Sequence, residues 1–138
     1  MKIALSSDPK FYSALQLIKD DLVKKGYGIF ISSMKEFDLN KDVINSRKQF
    51  DLINENFRNI DNSDAIYVAN YNHMGIEGYF AGNSFLEIGR AFEKNKGIFL
   101  MNPIPKKFIY RDALEAMQPI VIGRDWEKLD EYFRKKGK

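Results

Sequence analysis

The sequence predicts an α/β protein: a three-layer α/β/α sandwich on a five-stranded parallel sheet with flavodoxin-like (Rossmann-like) strand order 2-1-3-4-5. Three observations lead there. Short apolar runs rich in β-branched residues alternate with segments of helical period, giving β-α-β-α-β-α-β-α-β-α from end to end. No internal repeat interrupts the alternation. The 138 residues suit one domain, 1–138, with enough chain to bury a core. Right-handed crossovers then favour the stated order. Ligands in such sheets sit beyond the strand carboxyl ends, at the switch between the first and third strands.

Each element has its own signal. KIALS (2–6) reads as a short buried strand, ended by SSDP. Asp8-Pro9 is a helix opening, Asp as N-cap and Pro at the first helical position. Phe11, Ala14, Leu15, Ile18 and Leu22 follow at helical spacing, and Gly26 stops the helix. YGIFIS (27–32) is the second strand. MKEFDLNKDVINSR (34–47) is polar and irregular, the best candidate for a mobile lid. Phe50, Ile53, Phe57 and Ile60 mark the second helix, and AIYVAN (65–70) the third strand. The loop YNHMGIEGYFAG leads to the helix NSFLEIGRAFEKN, and GIFLMN (97–102) is the fourth strand. Pro103 and Pro105 forbid its continuation. RDALEAM, the strand PIVIG (119–123) and a helix through Trp126, Leu129 and Phe133 complete the chain.

Composition removes several functions. The chain is 44% apolar and 30% charged, as expected of a soluble globular protein. Its net charge of +3 is concentrated in the terminal RKKGK, so the body is close to neutral and nucleic-acid binding is not inferred. Cysteine is absent, which excludes disulfides and thiolate chemistry; a single histidine, His73, argues against a His-based metal site. No apolar run approaches the ~18 residues of a membrane span, and the first residues are too short a run for a signal peptide. The expectation is a cytoplasmic protein with no membrane partner.

Motifs remove others. There is no G-x-x-x-x-G-K-[ST]. Glycines 75, 78 and 82 do not form G-x-G-x-x-G and follow the third strand, not the first. A phosphoacceptor receiver needs an Asp at the end of the third strand, where this chain has Asn70. SSDPKF lacks the phosphate cradle of a flavodoxin, and no G-x-S-x-G elbow is present.

What remains is Glu87. It stands three residues after Ser84, so S-F-L-E fits a capping box in which Ser and Glu satisfy each other's backbone donors. It also follows a glycine-bearing loop at the expected crevice. A carboxylate there could stabilise or trap the cation that develops at an anomeric carbon when an N-glycosidic bond breaks. A helix N-terminus favours its ionised form. The same free N–H groups, with Gly82, Asn83 and Ser84, could hold a phosphate or sugar hydroxyl. Ser6 and Ser7 face the crevice from the first strand, and Tyr12 lies one residue off the apolar face of its helix. Asn70 and Asn102 end neighbouring strands at the same edge, where they could read a ligand or cap the loops. The residues alone leave Glu87 as cap or catalyst.

KIALSSDPKFYSALQLIKDDLVKKGY, IDNSDAIYVAN and GYFAGNSFLEIGRAFEKNKGIFLMNPIP together resemble the nucleoside 2-deoxyribosyltransferase superfamily, which includes transferases and nucleoside 5′-monophosphate N-glycosidases. The resemblance runs over most of residues 1–105, and F-L-E-I-G-R-A is its most specific part. It implies a nucleoside or nucleoside 5′-monophosphate as small-molecule partner, no metal or other cofactor, and a homodimer. It makes Glu87 the nucleophile, with Tyr12 or Ser6 helping to hold the sugar. Two positions depart from it. Eight residues before Asp64 the family carries an Asp that assists proton transfer, and this chain has Asn56. Six residues before Glu87 it carries an Asp or a Ser that reads the 5′ end, and this chain has Ala81, unless loop length shifts the match to Asn83 or Ser84. A non-catalytic nucleotide-binding or sensing domain is therefore the alternative. Asp64 reads as structural, Glu77 as exposed, Asn56 as a polar neighbour of the Phe57 stripe or a base-orienting group. His73 reads as an exposed loop residue or a proton carrier. Tyr79 and Phe80 read as stacking on a base or packing on a second subunit.

Overall fold

The central apolar runs become strands because each alternates between two buried faces, while the two edge strands stay partly exposed. In the computed structural model, which describes residues 1–31 and 46–137, β1 (Lys2–Ser6) sends Ile3 and Leu5 to one side and Ala4 to the other. Beside it lie β2 (Gly28–Ile31), β3 (Ala65–Val68), β4 (Gly97–Leu100) and β5 (Ile120–Val121). All pairs are parallel, in the order β2-β1-β3-β4-β5. Every residue of β3 and β4 is buried, as a parallel sheet covered on both faces requires. The fold class and strand order expected from the sequence are those observed. β1 spans the expected residues 2–6, and the other strands are shorter than their apolar runs, β5 most of all.

The helices are α1 (Tyr12–Lys24), α2 (Ser46–Asp61), α3 (Gly82–Glu93), α4 (Arg111–Ala116) and α5 (Trp126–Lys136). On one face Leu15, Ile18 and Leu22 of α1 and Leu129 and Phe133 of α5 pack on Ile3, Leu5, Tyr67 and Phe99. On the other, Ile60, Ile88, Ala91 and Leu114 from α2, α3 and α4 cover Ala4, Ile66, Val68 and Leu100. Arg90 clamps α3 to α2 with a bidentate pair to Asp61, 2.9 and 2.8 Å, its guanidinium over the Phe57 ring. That partner holds the Asp61 carboxyl below its ordinary pKa.

Two helix starts differ from expectation. Asp8 does cap, but it caps a 3-10 turn over Pro9–Phe11: its Oδ1 accepts from the Lys10 N–H at 2.9 Å and its carbonyl from Phe11 at 2.9 Å. α1 proper then opens at Tyr12. The capping box at Ser84 and Glu87 does not form. The N-cap of α3 is Ala81, with φ −73° and ψ 154° and no side-chain cap bond. The loop stays extended only to Ala81, so the N-cap stands three residues before Ser84 and the helix begins at Gly82, and both side chains are free for tertiary partners. The expected mobile stretch 34–47 lies outside the described residues, except Ser46 and Arg47 at the start of α2.

The loop between β3 and α3 is held against the end of β4. Gly78 has φ +69°, and a Cβ there would come within 2.6 Å of the Pro103 carbonyl oxygen. Both backbone strain and a clash with main chain therefore oppose any side chain. Gly78→Ala is expected to lower stability by about 2 kcal/mol, read from its urea midpoint. An unchanged midpoint would show that this loop is not fixed on Pro103.

Candidate active site

Ser6 has the same parity as Ala4, so it leaves β1 on the side covered by α2 and α3. Ser84 and Glu87 are one turn apart on the inner face of α3, and both are buried, 1% and 6% exposed. The three side chains meet at the carboxyl edge of the sheet. Ser6 Oγ donates to Glu87 Oε2 at 2.6 Å and lies 2.9 Å from Ser84 Oγ. Asn83 Nδ2 reaches Glu87 Oε2 at 3.5 Å and the Ser7 carbonyl at 3.3 Å. Ser7 Oγ donates to the Ala69 carbonyl at 2.7 Å, which ties the ends of β1 and β3 together at the topological switch. Gly82 is the exposed first residue of α3, with open space where a Cβ would stand.

Glu87 is therefore not a cap. It sits in the second turn of α3, its carboxyl turned into the protein and held from β1. Burial pushes its pKa up to about 7, against the opposing hydrogen bonds from Ser6 and Asn83. This corrects the expectation that the helix N-terminus keeps it ionised: loss of solvent outweighs the favourable neighbours. A carboxylate that titrates near neutrality is more basic, hence a better nucleophile, than an exposed one, and it exchanges charge states at working pH.

Asn56 is the residue whose place the sequence left open. It is 6% exposed and lines a narrow cleft of about 10 Å³, the space of roughly one water, with Ser6, Asn59 and Glu87. The signal was its i, i+4 spacing to Ile60, which is 2% exposed and puts Asn56 on the buried face of α2. Ala81, 8% exposed, brings no polar group of its own. The polar side chains that reach the Glu87 network are Asn83 and Ser84, the shifted positions.

Other residues singled out from the sequence have partners within the protein. Asn70 and Asn102 bind each other: Asn70 Nδ2 donates to the Asn102 carbonyl at 2.8 Å, Asn102 Nδ2 to the Asn70 carbonyl at 2.9 Å, and the Asn102 N–H to Asn70 Oδ1 at 2.8 Å. Their amides lock the ends of β3 and β4 beneath the loop. Tyr12, half-buried, opens α1 at this edge. Phe80 is 5% exposed and packs on Phe108 within the core that α2, α3 and α4 cover. Asp64 Oδ2 accepts from the Lys2 N–H at the opposite edge, a structural role as expected. Glu77 is exposed.

An aromatic group that joins His73 and Tyr79 to Phe11 and Tyr71 stands at the crevice mouth. Phe11 lies 4.9 Å from Tyr71 and meets His73 edge-on at 5.7 Å, and His73 in turn packs on Tyr79 at 5.1 Å. Beside it a groove of about 700 Å³ runs between the loops at 72–78 and 102–107. No described helix is long and apolar enough to cross a membrane. Among the described residues no cluster of acidic or histidine side chains could hold a metal.

Ser6→Ala tests the network. Ser6 lowers the pKa of Glu87, so its loss should move the ionisation above about 7 and remove one anchor of the carboxylate. Any activity that needs ionised Glu87 should fall about tenfold at pH 7 and recover partly at higher pH. A pH–rate profile unmoved by the substitution would separate Ser6 from the reaction.

No protein-family model matches the chain, and no curated protein matches its sequence. Solved structures do resemble it. A CMP N-glycosidase, BcmB, from Clostridium botulinum superposes with a TM-score of 0.55 at 14% identity, covering 96% of this chain and 100% of the other. A 2-deoxyribosyltransferase from Bacillus psychrosaccharolyticus superposes with a TM-score of 0.55 at 18% identity, covering 94% and 90%. Over nearly its whole length, then, the chain shares the fold of a nucleotide N-glycosidase and a deoxyribosyltransferase.

Proposed function

We propose that the chain cleaves or transfers across the N-glycosidic bond of a nucleoside or nucleoside 5′-monophosphate, with Glu87 as nucleophile. One observation carries this reading: a buried carboxylate, oriented from two elements at the switch point of a parallel sheet, and titrating near neutrality. The shared fold with two enzymes named for this chemistry supports it. In the reaction a Glu87 oxygen bonds to the anomeric carbon as the carbon–nitrogen bond breaks. The electron pair leaves with the base, which takes up a proton. Water or a second base then displaces Glu87. Ser6 and Asn83 hold the attacking oxygen, Ser7, Gly82 and Ser84 frame the sugar, and Tyr12 flanks the nucleophile. The carboxylate supplies the charge stabilisation.

A second reading, nucleotide binding without turnover, draws on Asn56, whose buried amide beside Glu87 exchanges no proton at neutral pH. Chromatography of free base released from ribo- and deoxyribonucleosides and their monophosphates decides between them. Release by wild type and none by Glu87→Gln supports the enzyme. Saturable binding with no release by either protein supports the sensor.

A further inference from the structure

We propose that Asn56 is a positioning residue for Glu87, acting through one water molecule held in the cleft between β1, α2 and α3. Its part in base release rests on the function proposed above; the water site and its hold on the carboxyl do not.

The cleft suits a small polar occupant. Apolar walls from β1 and β3 enclose it, and Ser6, Asn56, Asn59 and Glu87 line a space of about 10 Å³. A water needs about that much room and two to four polar partners. Asn56 is 6% exposed, yet its amide makes no hydrogen bond to a described residue. Among the described residues no enclosed polar side-chain atom lacks a partner, so this amide borders open space. The cleft is the space that Asn56 lines beside the carboxyl. An amide unpaired in an apolar surround is costly, and a water in the cleft removes that cost. Asn59, half-buried and about one turn along α2, leads from the cleft toward the surface.

Glu87 has the complementary need. Its hydrogen bonds from Ser6 and Asn83 both end on Oε2, at 2.6 and 3.5 Å. Two contacts to one oxygen leave the carboxyl able to turn about it. A water that accepts from Asn56 Nδ2 and donates to Glu87 Oε1 fixes the carboxyl plane and favours the ionised form. When Glu87 takes up a proton the water turns to accept it, and the amide, with both a donor and an acceptor, stays paired. A carboxylate in place of this amide would set a second negative charge beside the first. The groups around Glu87 are Ser6 from β1, Ile66 from β3, Asn56 and Asn59 from α2, and Asn83 and Ser84 on its own helix, none of them charged. Arg90, the next charge along α3, is engaged by Asp61. Burial and hydrogen bonds alone therefore set the titration of Glu87.

Carboxyl carbon NMR of the full chain, without substrate, follows the Glu87 titration, its signal identified by its loss in Glu87→Gln. Asn56→Leu fills the cleft with an apolar side chain of similar size and should raise the midpoint by about one pH unit. Asn56→Asp should couple to the carboxyl, so that the pair titrates in two steps with the upper one above the wild-type midpoint. In wild type the Asn56 side-chain amide should show a nuclear Overhauser contact to a long-lived water. A midpoint unmoved in both variants overturns the proposal, and so does a missing amide–water contact. A lower midpoint in Asn56→Leu, the result of a core merely loosened to solvent, overturns it too. In base release, kcat/KM of Asn56→Leu should fall about fivefold at pH 7 and recover at higher pH, following the raised midpoint. No base release by wild type would remove the reaction and leave the water site standing, because the midpoint is read without substrate.

Discussion

Glu87→Gln is expected to lower base release by a factor on the order of 10⁴ or more, the scale at which removal of a nucleophile acts when its neighbours cannot substitute for it. The substitution is nearly isosteric. An amide oxygen still accepts from Ser6 Oγ, so the contact to β1 at 2.6 Å and the packing of α3 survive. Lost is the negative charge, and with it the nucleophilicity of the oxygen that would bond to the anomeric carbon. Wild-type kcat/KM should rise with pH through about 7, where Glu87 ionises in the free protein. Residual activity of Glu87→Gln within tenfold of wild type would mean that Glu87 is not the nucleophile.

The same substitution should make the protein more stable, and only at the higher pH values. The folded pKa of Glu87 is raised from 4.5 to about 7 by burial, so the native state holds this proton more tightly than the unfolded chain. Its contribution is therefore most favourable below pH 4.5, declines between 4.5 and 7, and reaches its full cost above about 7. The span corresponds to about 3 kcal/mol. Gln never ionises and avoids that cost. Urea midpoints at pH 4.5, 6 and 8 should show the variant level with wild type at the lowest pH and ahead by up to about 3 kcal/mol at the highest. The remaining titrating groups are common to both proteins and cancel in the difference. A gap independent of pH would place the Glu87 ionisation elsewhere. A gain in stability joined to a loss of activity is the expected mark of a group held for function in an unfavourable setting.

The sequence by itself determined the architecture of this protein. Strand and helix periods, the Asp8-Pro9 opening, Gly26 with its positive φ and the prolines after β4 are local signals, read from neighbours a few residues apart. Their alternation leaves little choice of sheet order once crossovers are right-handed. The FLEIGRA segment also pointed to Glu87. Tertiary structure alone decided what Glu87 does. S-x-x-E is the same string whether it caps a helix or points inward, and the choice fell to Ala81, whose extended backbone started α3 three residues early. That shift turned Ser84 and Glu87 toward Ser6, 78 and 81 residues away in the chain. It also desolvated the carboxyl far enough to outweigh its hydrogen bonds. Asn70 and Asn102 show the same limit: the sequence put both at one edge, but only the 32-residue contact between them revealed that they hold each other. Burial and partnership across the sheet depend on distances that no local window contains, and these set the protonation of a side chain as well as its neighbours.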